Sequence, residues 1–222
     1  MSTTFLEWFS GTKKEEGFGV SPATVTDNFN VLSEGRVQVH IPAYPDLDPW
    51  ARLSAVGAGP SRGFLWVPQV DDEVLVAFNR NDPRDAYVLG GLWSTMNQPP
   101  ATVTTDFLTK RIIQTGLSDD PMGHTIEFDD VEQSITITTS TSQQITMDAT
   151  KIEIATAEGT LKITLELGGG IEIQAVEGDI SLSAPAGDIT ISGLNVTIES
   201  DVSTDISSDG TVSVEGTLVT LN

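Results

Sequence analysis

Residues Gly178-Asp179-Ile180-Ser181-Leu182-Ser183 are echoed nine positions later by Gly187-Asp188-Ile189-Thr190-Ile191-Ser192. Each copy opens on Gly-Asp, whose backbone freedom and side-chain acceptor suit a turn, and continues as an apolar-polar alternation that gives a strand one apolar face. Outward from this stretch, apolar pairs recur every seven to ten residues or so: Ile135/Ile137, Ile145/Met147, Ile152/Ile154, Ile163/Leu165, Ile171/Ile173, Ile180/Leu182, Ile189/Ile191, Val196/Ile198 and Val212/Val214. The spacing predicts short strands, each needing a cover for its apolar face, on a chain that turns a corner after every strand.

Composition marks where this pattern rules. All fourteen aromatic residues lie at or before Phe128. From there to Asn222 the chain is mostly Ile, Val, Leu, Thr, Ser, Gly and Asp, with sixteen acidic residues against only Lys151 and Lys162. Without aromatic area a thick globular core is hard to build, so this stretch reads as a thin, regular fibre. A single chain winding alone would give a stub of about 15 Å at a strand spacing of roughly 4.8 Å. Three interwound chains would stack about ten layers, on the order of 50 Å, around a shared interior of Ile, Val and Leu. The expectation is an obligate homotrimer with no stable folded monomer for this segment. A narrow axis also accounts for the missing rings, which would overfill it.

The front of the chain is predicted to be globular. Strands are expected at Ala23–Thr26, Arg36–Ile41, Trp50–Val56, Phe64–Val67, Glu73–Phe78 and Ala86–Gly90, separated by Gly, Pro, Asn and Asp turns, which suggests a small closed barrel. Residues 1–18 are read as a short amphipathic helix or an arm that orders on a partner, carrying Phe5, Trp8 and Phe9; residues 19–95 as the barrel; 96–122, with Pro99-Pro100, as a connector; and 123–222 as the fibre. There is no cysteine, which excludes disulfides and thiolate metal sites. Met1–Glu16 has acidic flanks and no long apolar run, so no signal peptide is expected, and no segment approaches the roughly 20 apolar residues of a membrane span. A net charge of −21 opposes sequence-blind binding of nucleic acid and suits a solvated repetitive β surface.

Two segments, Gly35-Arg36-Val37-Gln38-Val39-His40-Ile41-Pro42 and Asn81-Asp82-Pro83-Arg84-Asp85-Ala86-Tyr87-Val88-Leu89-Gly90-Gly91-Leu92-Trp93, with Trp50–Leu53 and Gly63–Phe78 between them, carry a resemblance. Over residues 19 to 95 the sequence resembles the barrel of contractile-tail central spike proteins, a family that includes phage baseplate assembly protein V and the VgrG-like spikes of type VI secretion. The resemblance implies an all-β homotrimer: an OB-fold barrel followed by an intertwined triple-stranded β-helix that projects as a needle and meets the target envelope on sheath contraction. It implies a place below the tail tube and hub, in a virion tail baseplate or contractile injection particle assembled in the bacterial cytoplasm. Phe5, Trp8 and Phe9 are the expected hub contact. Asp71 stands where the family usually has Gly, and Ala86 where Pro is common; Asp tolerates a left-handed turn, and losing Pro is expected to cost loop rigidity only. No hub-type domain precedes the barrel in this chain, and no lysozyme-like insertion follows it.

The family's C-terminal His-x-His, which can hold an axial iron, is missing from Thr217-Leu218-Val219-Thr220-Leu221-Asn222. No metal or cofactor is therefore expected there. Apolar strand edges at the end of a fibre need a cover, so a PAAR-type tip protein is expected to dock on Val219, Leu221 and Asn222. Asp119, Asp120, Asp129, Asp130 and His124 are read as junction turns rather than a metal cluster, and His40 as an ordinary strand residue. No nucleophile elbow, phosphate loop or sugar-binding aromatic platform accompanies the many Ser and acidic residues, so no enzymatic activity is expected. Trp50, Trp66 and Trp93 are read as filling the barrel core rather than as stacking platforms for nucleic acid. The alternatives that stay open are a spike of a bacterial extracellular injection system or type VI-like apparatus, a receptor-binding tail fibre, whose bulky terminal head is not seen here, and an OB-fold nucleic-acid binder.

Overall fold

The computed structural model describes residues 19–29, 35–101, 103–117 and 123–220. Phe5, Trp8, Phe9, Asp119, Asp120, Leu221 and Asn222 lie outside the described residues. The chain divides into two units, Met1–Gly178 and Asp179–Asn222.

In the first unit, β1 (Val20–Asp27), β2 (Arg36–His40), β3 (Trp50–Leu53), β6 (Glu73–Asn79) and β7 (Asp82–Gly91) close a barrel in the order β1-β2-β3-β7-β6, with β4 (Ala58–Gly59) and β5 (Arg62–Gly63) as a small separate hairpin. The pairs are antiparallel except β3 with β7, and β1 against β6 closes the ring. Alternation does what it should: Val25, Val37, Val39, Val74, Val76 and Val88 point inward, joined by Ile41, Ala23, Ala51 and Ala86. Arg80 and Asn81 both adopt positive φ (51° and 63°), the requirement for the tight two-residue turn between β6 and β7.

The barrel departs from the sequence reading in two respects. Its core holds no tryptophan. Trp66 and Trp93 are largely exposed and Trp50 is half-buried, because the interior of a five-stranded barrel accepts Val and Ala and has no room for indoles. Tyr44 and Phe78 instead pack against the core, meeting edge to face with ring centroids 6.0 Å apart. Phe64–Val67 joins no ladder, whereas Ala86, at the head of an expected strand, does lie buried within β7. Asp71 does take the left-handed conformation, at φ 73°, and its N–H donates to Val25 O at 2.9 Å.

After the barrel a short helix, α1 (Thr104–Thr109), leads into seven strands: β8 (Lys110–Gln114), β9 (Thr125–Asp129), β10 (Ser134–Thr138), β11 (Gln144–Met147), β12 (Lys151–Ala155), β13 (Leu161–Glu166) and β14 (Ile171–Ala175). They form one antiparallel sheet in strict sequence order, so the end of the expected connector is already its first strand. The neighbour of every strand here is the next strand of the same chain. The reason lies in the turns. Asp129 Oδ1 accepts the N–H groups of Val131 and Glu132, and Asp148 Oδ1 those of Thr150 and Lys151. Gln133, Ser142, Glu158, Gly159 and Gly169 supply the positive φ that lets the chain reverse.

The second unit differs. Among its described residues there is no strand ladder, although Ile180, Leu182, Ile189, Ile191, Val196 and Ile198 keep the same apolar spacing and are all more than half exposed.

Candidate functional site

The sheet β8–β14 is two apolar residues wide. Cross-strand register aligns Ile113, Ile126, Ile137, Ile145, Ile154, Ile163 and Ile173 in one column. Phe128, Ile135, Met147, Ile152, Leu165 and Ile171 form the second, which Arg111 heads from β8. Directly opposed side chains on one face are the unit of sheet packing, so both columns are continuous apolar stripes.

No described residue of the same unit covers them. Ile154, in mid-sheet, is 45% exposed, whereas Thr164 on the opposite, polar face is only 8% exposed. A globular sheet hides its apolar face and wets the other; this one has the reverse. The polar side is closed over by its own long side chains. Lys110 Nζ reaches Glu127 at 3.1 Å and Asp129 at 3.7 Å, while Glu153 lies between Lys151 Nζ at 2.8 Å and Lys162 Nζ at 3.6 Å. The hydrogen bond to Glu127 raises the Lys110 pKa, and the bond from Lys151 lowers that of Glu153. Asp129 is lowered chiefly by the Glu132 N–H, with Val131 and Lys110 adding to it, and Asp148 by the Thr150 hydroxyl and then by the backbone of its turn. These are surface interactions, each worth little. They order the polar face and leave the apolar one exposed.

The other residues singled out from sequence are not gathered into a site. His124 precedes β9, where its N–H donates to Thr115 Oγ1 at 2.8 Å, and Asp129 ends that strand, so the two sit a full strand apart. Among the described residues no group of three or more His, Cys, Asp or Glu could hold a metal ion. His40 is exposed and pairs with Asp48 through Nδ1 at 2.8 Å. Val219 is about half exposed. Sequence reasoning missed Arg111, which interrupts an otherwise apolar column; strand parity carried that signal but could be read only once β8 was placed. It also missed the exposed parallel stack of Phe64 on Trp66, with ring centroids 6.0 Å apart.

Residues 21–93 match the family model of the type VI secretion system/phage-baseplate injector OB domain. This match, on a barrel closed by the β1–β6 pairing, supports a likeness to the contractile-tail spike proteins over the OB domain. Two relatives from Vibrio cholerae serotype O1 agree. The actin cross-linking toxin VgrG1 is 31% identical over 87 residues, covering 36% of this chain and 8% of its own length. The type VI secretion system spike protein VgrG3 is 32% identical over 95 residues, covering 40% of this chain and 9% of its own length. The likeness thus takes in less than a tenth of each relative.

Proposed function

We propose that this chain is the central spike of a contractile tail or injection apparatus, a structural homotrimer in which the barrel seats the protein below the tube and hub and the acidic β region projects as the needle driven into a target envelope. The observation that carries this reading is the uncovered apolar face: thirteen apolar side chains in two columns, directly after an injector OB domain. Each large apolar side chain moved out of water contributes about 1.5 to 3 kcal/mol, so a face of this size left wet would make the single chain prone to association. Three copies, each turning its stripe inward, bury all three without an edge-on contact. The tail from Asp179 then continues as the interwound part, where ladder partners come from the other two chains.

The role is mechanical and needs no catalytic group. Phe5, Trp8 and Phe9 remain the proposed hub contact, and the exposed Phe64, Leu65 and Trp66 are barrel side chains of the same character. Val219, Leu221 and Asn222 remain the proposed seat of a PAAR-type tip protein. Exposed aromatics also suit a nucleic-acid platform, but a net charge of −21 opposes a phosphate backbone.

Native mass spectrometry and light scattering of the full chain test the proposal. A trimer that does not dissociate on dilution is expected, and a monodisperse monomer rules the spike out.

A further inference from the structure

We propose that Arg111 builds an oxyanion-binding site on the threefold axis, occupied by an ion of the phosphate type, at the end of the apolar interior nearest the barrel in sequence; this rests on the trimer reading above. Arg111 stands opposite Phe128 in the β8–β9 register and shares its face with Ile113 and Ile126. It is the one charged side chain in the two columns, which contain no carboxylate. The acids nearest β8 serve elsewhere: Glu127 and Asp129 are bound by Lys110 on the opposite face. Arg111 itself uses only Nη1, donating to Lys110 O at 2.8 Å and Leu108 O at 3.3 Å. Its Nε and Nη2 have no partner among the described residues, and it makes no ion pair there.

Symmetry turns this into a site. When three identical faces close on an axis, each brings an arginine at the same height and no carboxylate from within its two columns. A five-residue strand is about 17 Å long, so a triangular prism with sides of that width has its axis roughly 5 Å from each sheet, within the reach of an arginine. Three guanidinium groups must then lie together in an apolar surround, where like charges without a counter-ion are strongly unfavourable. A tetrahedral oxyanion carries the same threefold symmetry, and its oxygens accept the planar N–H forks of all three side chains. Within the columns the counter-charge has to come from solution; the carboxylate of the same strand parity nearest to them is Asp130, exposed just beyond β9.

The full chain would be refolded with inorganic phosphate or in phosphate-free chloride buffer, washed, sized by native mass spectrometry, and then denatured for ion chromatography. The expected result is a trimer that retains one phosphate for every three chains. Arg111→Leu should remain trimeric and retain none, and Arg111→Lys should retain phosphate only weakly, with at least a tenfold faster loss on washing. Asp130→Asn, which removes the exposed carboxylate just beyond β9, should leave retention unchanged. A wild-type trimer without phosphate overturns the site alone, as does equal retention by Arg111→Leu. Loss of the trimer in Asp130→Asn would also overturn it, since the counter-charge would then be the neighbouring copy's carboxylate. A wild-type chain that is monomeric with phosphate present removes the trimer reading first.

Discussion

Strands β9–β14 and the tail from Asp179 to Thr220 are written in nearly the same language, apolar pairs mostly seven to eleven residues apart among Thr, Ser, Gly and acids, yet one folds on itself and the other does not. The separating feature is in the turns. Between β9 and β14 five described residues take positive φ and two aspartates cap their own turns. After Gly178 no described residue has positive φ, and no two segments pair. Apolar spacing therefore sets where strands are, while turn stereochemistry sets whether consecutive strands can meet. A chain that cannot reverse has to find its ladder partners in other chains.

The sharpest way to break this comparison is a charge in mid-sheet. Ile154→Asp is expected to abolish the trimer, since an unpaired carboxylate in a closed apolar interior costs at least about 3 kcal/mol per chain and is repeated three times. Light scattering should then report smaller or aggregated species. A trimer of unchanged stability would mean that the face is not the interface.

Next comes amide exchange across the two regions. Protection of β10–β13 should persist in part when the trimer is disrupted by Ile154→Asp, because those hydrogen bonds are within one chain. Protection from Asp179 onward should vanish with the trimer. Protected tail amides in a monomer would overturn the distinction.

Glycine substitutions sharpen it further. Gly169, at φ 94°, and Gly187, whose φ is not positive, both have open space where a Cβ would stand. Gly169→Ala should therefore cost about 1 to 2 kcal/mol from backbone strain alone, and Gly187→Ala should be near neutral, as read from thermal midpoints.

The smallest effect is one of pH. The folded Asp148 has a lowered pKa, so its contribution is present above the ordinary aspartate value of about 3.9 and is lost as pH falls through the folded value. Asp148→Asn should be less stable than the wild type near neutrality, and the two should converge in acid. Comparing the pair at each pH cancels the general relief of negative charge. A constant difference at every pH would mean that the turn is held by shape alone.

Much of this was legible beforehand. Val37, Val39, Val74 and Val76 alternate so cleanly that the barrel strands could be placed from sequence, and Asp71 was identifiable as a left-handed turn residue. The apolar pairs from Ile135/Ile137 to Ile171/Ile173 all fall on strands. What could not be read was pairing. A corner and a hairpin occupy similar lengths of chain, so Asp148-Ala149-Thr150 does not announce that it reverses direction until its hydrogen bonds are seen. The tryptophans misled for another reason: hydrophobicity says that Trp66 and Trp93 prefer burial, but barrel radius decides what fits, and that is a property of closure rather than of any residue. The apolar face was legible strand by strand, whereas its continuity, and the place of Arg111 in it, depend on register.

The sequential meander has an evolutionary corollary. Because each strand bonds only to the strands before and after it in the chain, removing or duplicating one hairpin leaves every other register and both column parities intact. Such a sheet can change length in steps of two strands, about 10 Å each, without redesign of its ends.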